Sequence, residues 1–208
     1  MLHVVNHPLI TMKLNFMRDV NTTSKDFRTL LDEISSLMTY EVFKDLKLKP
    51  TDKKITTPTG AIIDKMDIDE DIVIVPILRA GIGMSNGVVN MLPTAKIGHI
   101  GLYRDEKTLQ PVEYFCKMPK VPNPLVVLCD PMLATGGSAC DAIKILHKKG
   151  FNNIRLLCLV GAPEGIKKVT TEYPEVELYL AAVDERLNEK GYILPGLGDA
   201  GDRIFGTL

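Results

Sequence analysis

The sequence predicts an α/β fold, with a central parallel sheet flanked by helices, and three observations carry that reading. First, four apolar, β-branched runs begin near Ile72, Leu125, Asn153 and Val176, and helical periodicity separates them. Second, Leu125–Cys129 passes through Asp130 and Pro131 into Thr135-Gly136-Gly137-Ser138. There Ala142, Ile143, Ile145 and Leu146 take up helical spacing that stops at Gly150, a C′ glycine. Third, open sheets of this kind bind ligands beyond the carboxyl ends of their strands, and Arg79, Asp130 and Thr135–Ser138 all fall there.

The chain has 208 residues, which suits one domain spanning 1–208 and able to bury a core without staples. Hydrophobic residues make up 45% and charged residues 25%, as in ordinary globular proteins. A net charge of −1 supplies no overall field for nucleic acid or an acidic membrane. The cysteines at 116, 129, 140 and 158 show no C-x-x-C spacing and suggest neither a zinc site nor a disulfide frame. The N-terminal stretch lacks the basic start and apolar core of a signal peptide, and no apolar run approaches 18 residues. The expectation is therefore a cytoplasmic protein with no membrane segment.

Taken in order, residues 1–50 read as a helical arm. His7-Pro8 opens a helix with Ile10, Leu14 and Met17 on one face. Thr23 or Ser24 starts a second, with Asp26 in its first turn and Phe27, Leu30, Leu31, Ile34, Leu37 and Met38 as its apolar stripe. Arg18 reads as a solvated helix arginine or a phosphate or effector contact. The span from Pro50 to Gly60 reads as an extended or hairpin connector.

The buried strand Ile72–Ile77 runs into Leu78-Arg79-Ala80-Gly81-Ile82-Gly83 and then a helix around Met84–Met91. An arginine amid glycines at a strand end is suited to bidentate phosphate contact. Residues 95–117 alternate rather than run apolar, and read as a two-stranded hairpin flap with a charged loop, Tyr103-Arg104-Asp105-Glu106-Lys107. Pro163 and Glu164 are good first-turn residues for a helix after the third buried strand.

The turn at 130–138 carries specific physics. Two glycines let the backbone approach a ligand, the opening helix adds unsatisfied N–H groups, and Thr135 and Ser138 add hydroxyls, so the loop suits one phosphate. Asp130 would repel that phosphate and suits sugar hydroxyls or a phosphate-bound Mg²⁺. The plain alternative is a βα turn with Ser138 as the helix N-cap. In the tail, Gly196-Leu197-Gly198-Asp199-Ala200-Gly201 formally matches G-x-G-x-x-G. Only seven residues follow, too few for the helix and second strand of a dinucleotide site.

Asp130-Pro131-Met132-Leu133-Ala134-Thr135-Gly136-Gly137-Ser138 closely resembles the 5-phosphoribosyl-1-pyrophosphate (PRPP) loop of type I phosphoribosyltransferases, in the version of the uracil phosphoribosyltransferases. The resemblance runs from His7-Pro8-Leu9 to Phe205-Gly206-Thr207. Most members of the wider fold carry two adjacent acidic residues where this chain has Cys129-Asp130. The uracil enzymes share that departure, which points away from a tightly protein-held metal.

The resemblance implies the type I phosphoribosyltransferase fold with a hairpin flap at 95–117 that closes over substrate and a base-binding hood at 184–201. It implies that residues 130–138, Arg79, Arg104 and Asp199 bind PRPP. Ile193, Gly198, Asp199 and Ala200 would read uracil, and Asp130, Asp199 and Arg104 would serve the catalytic step. The implied chemistry is uracil plus PRPP giving UMP plus diphosphate, with Mg²⁺ carried on PRPP rather than in a protein metal site. GTP as an allosteric activator and a homodimer or homotetramer are also implied.

A hood rich in backbone donors and acceptors suits uracil, whose O2, N3–H and O4 alternate. Each group left unpaired by a wrong base costs roughly 1–3 kcal/mol. Two other readings compete. A pyrimidine-responsive RNA-binding regulator would need a basic face, against which the charge of −1 argues. A purine or orotate transferase of the same fold would, for orotate, need a cation in the base pocket. Residues 192–201 contain none, and Arg203 lies just beyond.

Overall fold

The computed structural model describes residues 1–104 and 111–207, with only the backbone of Arg104 and Pro111. Strand β1 (Leu2–Val4) precedes two helices, α1 (Pro8–Arg18) and α2 (Ser24–Val42). Both helices start as their side chains dictate. The His7 Nδ1 accepts the Leu9 N–H at 3.2 Å and the Thr23 Oγ1 accepts the Asp26 N–H at 3.2 Å. A hairpin of β2 (Leu48–Thr56) and β3 (Ile62–Ile68) follows, then β4 (Ile72–Leu78), α3 (Ile82–Met91), β5 (Lys96–Ile97), β6 (His99–Arg104) and β7 (Pro111–Lys117). The second half contains β8 (Leu125–Cys129), β9 (Met132–Leu133), α4 (Gly137–Lys148), β10 (Asn153–Gly161), α5 (Pro163–Glu172) and β11 (Glu177–Val183). The tail holds β12 (Arg186–Leu187), β13 (Ile193–Leu194) and α6 (Ala200–Phe205).

The main sheet runs β1-β11-β10-β8-β4-β6-β7, parallel except for the antiparallel pair β6–β7. The four expected buried strands are its centre. Side chains alternate across β8: Leu125, Val127 and Cys129 join a core with α1, α2, α3 and α6, while Val126 and Leu128 join a second core with α4 and α5. Cys129 and Cys158, on neighbouring strands, therefore face opposite layers and are buried as small hydrophobes.

Two departures from the sequence reading lie in the arm. Residues 1–50 are not helical throughout, because β1 adds a parallel edge strand with Leu2 opposite Leu178, and β2 begins at Leu48. A three-residue strand is too short to display alternation, and apart from the stacking of His3 on Tyr179 its pairing is carried by backbone. The extended or hairpin connector expected at Pro50–Gly60 is a hairpin, longer than expected at 48–68, with an irregularity between Pro50 and Lys54 where proline cannot donate to the ladder. The expected hairpin within 95–117 is present as β6 and β7, continuous with the main sheet through Ile77 opposite Ile100. Its connecting loop at 105–110 lies outside the described residues. Among the described residues no helix is long and apolar enough to cross a membrane.

Candidate functional site

β4 and β8 are adjacent, with Pro76 opposite Cys129, so the loops leaving their carboxyl ends emerge side by side. After β4 the chain turns tightly at Arg79–Gly83. The Gly81 N–H bonds the Ile77 carbonyl at 2.9 Å and the Ile82 N–H bonds the Arg79 carbonyl at 3.1 Å. The Leu78–Arg79 peptide is cis. A Cβ on Gly81 would stand 2.3 Å from the Cys129 carbonyl oxygen and 2.7 Å from both N and O of Ile77. The arginine loop thus lies directly on the strand end that carries Asp130. The Arg79 guanidinium sits 5.5 Å from the centre of the Phe205 ring, a cation–π approach that ties its position to α6.

The stretch 130–133 is bonded along β10. The Asp130 N–H donates to the Leu157 carbonyl at 3.1 Å, the Pro131 carbonyl accepts from Leu159 and Val160 at 3.1 and 3.2 Å, and Met132 and Leu133 pair with Val160 and Gly161. Pro131 and Leu133 are buried, and Met132 and Ala134 partly so. Buried Pro131 and Leu133 leave backbone groups as their means of touching a ligand. Gly136 takes φ +77° and is itself the N-cap of α4, so the alternative of Ser138 as N-cap does not hold. The first helical bond is Cys140 N–H to Gly136 carbonyl at 3.0 Å, which leaves the amides of Gly137, Ser138 and Ala139 ahead of it at the positive end of the helix. Thr135 and Ser138 are exposed beside them, and the Thr135 Oγ1 accepts the Gly137 N–H at 3.4 Å.

Asp130 lies at the foot of this loop, its carboxylate sunk among protein atoms although part of the residue still meets solvent. Burial pushes its carboxyl up to about 7, against the opposing effect of a hydrogen bond from the Met132 backbone. Next to it, burial raises the Cys129 thiol far above the ordinary thiol range, so Cys129 offers no anionic partner.

Gly165, in the first turn of α5, was not singled out from the sequence. A Cβ there would stand 2.4 Å from the Ala134 carbonyl oxygen and 2.9 Å from that of Leu133. Its signal was available, because a glycine inside a helix is disfavoured unless another backbone approaches closely. Gly165→Ala is expected to lower stability by about 2 kcal/mol and, by shifting the loop, to weaken phosphate binding at the start of α4 at least tenfold. Thermal melts and titration with inorganic phosphate check this; an unchanged affinity would show that the loop tolerates the displacement.

Above the sheet edge, residues 184–206 fold into the antiparallel pair β12–β13, a turn with Gly196 and Gly198 at φ +63° and +78°, and α6. The tail ends in the six-residue α6, which begins before Gly201 and is too short for a dinucleotide-site helix, as the count of residues after Gly201 implies. Asp199 caps it by accepting the Asp202 N–H at 3.0 Å, and no strand follows among the described residues. Gly201 approaches Ala80, its would-be Cβ 3.9 Å from that of Ala80, which brings the tail beside the arginine loop. Ile193 and Ala200 are 3% and 2% exposed, so their side chains belong to the core and only their backbone can face a ligand. The ladder bonds pass through Tyr192 and Leu194, turning the N–H and C=O of Ile193 away from β12.

Two arginines are accounted for structurally. Arg18, rather than reaching into solvent, forms a bidentate pair with buried Asp184, at 2.6 and 2.8 Å. Arg203 donates to the Leu197, Met17 and Asp19 carbonyls at 2.8, 2.5 and 2.6 Å and lies 4.6 Å from the Phe27 ring centre. Arg203 is thus bonded to the turn at 196–199 through Leu197, with its guanidinium already engaged by three carbonyls. Arg104 ends β6 opposite Pro111, and its side chain lies outside the described residues.

The structure resembles the AQ2163 protein from Aquifex aeolicus with a TM-score of 0.91 and 39% identity, covering 99% of this chain and 98% of that one. A hypoxanthine phosphoribosyltransferase from Staphylococcus aureus shares the fold at a TM-score of 0.52 and 14% identity, over 85% of this chain and 82% of its own. In sequence, the uracil phosphoribosyltransferase of Clostridium botulinum is 58% identical over 204 residues, 98% of this chain and 97% of that protein. That of Mycoplasma mobile is 57% identical over 208 residues and the full length of both. The model of the uracil phosphoribosyltransferase family matches residues 4–207, and with these relatives it shows that the chain belongs to the uracil phosphoribosyltransferase family.

Proposed function

We propose that this protein transfers the phosphoribosyl group of PRPP to N1 of uracil, forming UMP and diphosphate in pyrimidine salvage. The observation that carries the reading is the meeting, on one sheet edge, of an anion-binding helix start, a carboxylate and an arginine loop beneath a turn whose polar surface is mainly backbone. The amides of residues 137–139, with Thr135 and Ser138, would hold the 5′-phosphate. Asp130 would accept hydrogen bonds from the ribose hydroxyls, for which it must be ionised. As the C1–oxygen bond to diphosphate breaks, its electron pair leaves with the diphosphate and positive charge builds on the ribose. Uracil N1 then supplies the new bond and loses its proton. Arg79 and Arg104 would offset the leaving charge.

Among the described residues no three His, Cys, Asp or Glu side chains converge to hold a metal, and Asp130 has a neutral thiol where a second carboxylate would stand. These residues fit Mg²⁺ arriving on the diphosphate oxygens as part of the substrate. The backbone of Ile193, Gly198 and Ala200 would read the edge of uracil. Asp199 orients the base or receives its proton only if its carboxylate, which caps α6, can serve both partners. Engagement of Arg203 with three carbonyls favours uracil over orotate, which needs a cation. The resemblance extends the proposal to a cytoplasmic homodimer or homotetramer activated by GTP.

The test is PRPP-dependent conversion of labelled uracil to UMP with Mg²⁺, with and without GTP, beside orotate and hypoxanthine. UMP from uracil and little product from the others is expected. A folded protein that makes no UMP under either condition would overturn the reading, and salt-dependent RNA binding by that protein would favour a regulator instead.

A further inference from the structure

The turn proposed to read the base does so with backbone, and backbone groups hold a ligand only as accurately as the chain around them is fixed. Gly196, midway between Ile193 and Gly198, has both of its backbone groups held by one ion pair. Its N–H donates to the Asp184 Oδ2 at 2.9 Å, and its carbonyl accepts from the Arg18 Nη1 at 2.5 Å. The same two side chains form the bidentate pair, with Arg18 Nη1 and Nη2 at 2.8 and 2.6 Å from the Asp184 carboxylate. The Asp184 side chain is 4% exposed and that of Arg18 19%, so the pair is shielded from water and weakly screened. Asp184 is itself anchored, its N–H donating to the Gly161 carbonyl at 2.9 Å, just past the end of β11. The next hood carbonyl, Leu197, is held by Arg203, which also binds Met17 and Asp19 on either side of Arg18.

We propose that Arg18 and Asp184 are positioning residues for the base: through Gly196 they fix the register of the turn 193–198 against the sheet edge, so the arm is a working part of the base pocket. This rests on the reading of that turn as the uracil site. Outside α1, the hydrogen bonds of both residues go to each other, to Gly196 and to Gly161 and not to the loop 130–138, so their influence falls on uracil rather than on PRPP. Lysine at 18 can reach one carboxylate oxygen. It cannot hold the fork and the Gly196 carbonyl together.

The experiment is steady-state kinetics of Arg18→Lys and Asp184→Asn beside the wild type, with far-ultraviolet circular dichroism to confirm folding. The expected result is a rise of roughly tenfold in the KM for uracil, a KM for PRPP within about twofold of wild type and kcat within about threefold. Folded variants in which both KM values rise together, or neither changes, would overturn the proposal. So would loss of folded structure in both variants, since the pair would then maintain the fold and not the turn. A wild type that makes no UMP would count against the uracil reading and not against the clamp.

Discussion

Asparagine in place of Asp130 is expected to produce an apoprotein more stable at pH 8 than the wild type and at least about a hundredfold lower in kcat/KM for PRPP. The two effects share one cause. The folded protein holds the Asp130 carboxyl at about 7, above its ordinary value of 3.8, because burial disfavours the charge. Below 3.8 the group is protonated in folded and unfolded chains alike, and no penalty exists. Between 3.8 and about 7 the unfolded chain releases the proton while the folded one keeps it, so stability falls as pH rises, and above 7 the loss is complete. At about 1.4 kcal/mol per unit of displacement, the loss amounts to a few kcal/mol. Asparagine has no charge to bury and keeps an acceptor for the Met132 N–H. Thermal melts of both proteins from pH 4 to 8 should nearly coincide at the acid end and separate in favour of the variant toward pH 8. The wild-type kcat/KM for PRPP should fall below pH 7 as the carboxylate is lost, and this acid limb should vanish in the variant. Full activity in the variant would remove Asp130 from ribose binding while leaving the family assignment intact.

Alanine at Gly81 is expected to be as damaging by steric means. Its Cβ would overlap three backbone atoms, the Cys129 oxygen and the N and O of Ile77, none of which can turn aside as a flexible side chain could. Either the arginine loop or the end of β8 must move, at a cost of about 3 kcal/mol, and the movement separates Arg79 from Asp130. The KM for PRPP should rise at least a hundredfold, measured by initial rates, alongside a lowered melting temperature. Gly150→Ala makes the comparison informative. It places a Cβ in open space at φ +87°, far from the site, so it should lose about 1 kcal/mol of stability and leave both KM values unchanged. Equal kinetic damage in the two variants would show that the close approach at Gly81 is not what matters.

The readable parts of this chain were those where local chemistry and burial agree. The runs at Ile72 and Leu125 are apolar on both faces because helices cover both, and Gly136-Gly137 announces a loop because the backbone there needs positive φ and a close approach. Arg18 was misread for a physical reason. On a helix of 11 residues its partner cannot be inferred, and Asp184 lies 166 positions away. β1 was invisible because backbone pairing with β11 leaves no side-chain period in three residues. Ile193 and Ala200 show the same divide: the resemblance alone singled them out, and only the fold shows that both side chains are buried, which leaves main chain as the part that can face a ligand.

The pairing of Leu2–Val4 with β11, and of Arg18 with Asp184 and Gly196, carries a consequence for synthesis. The ribosome makes these early segments first, yet their partners emerge some 170 residues later. At about 5–20 residues per second that is a delay on the order of ten to thirty seconds. Through that interval the amphipathic face of α1, with Ile10, Leu14 and Met17, has no sheet edge or tail to cover it. The turn around Gly196 can therefore settle only when residues made early in synthesis meet residues made much later.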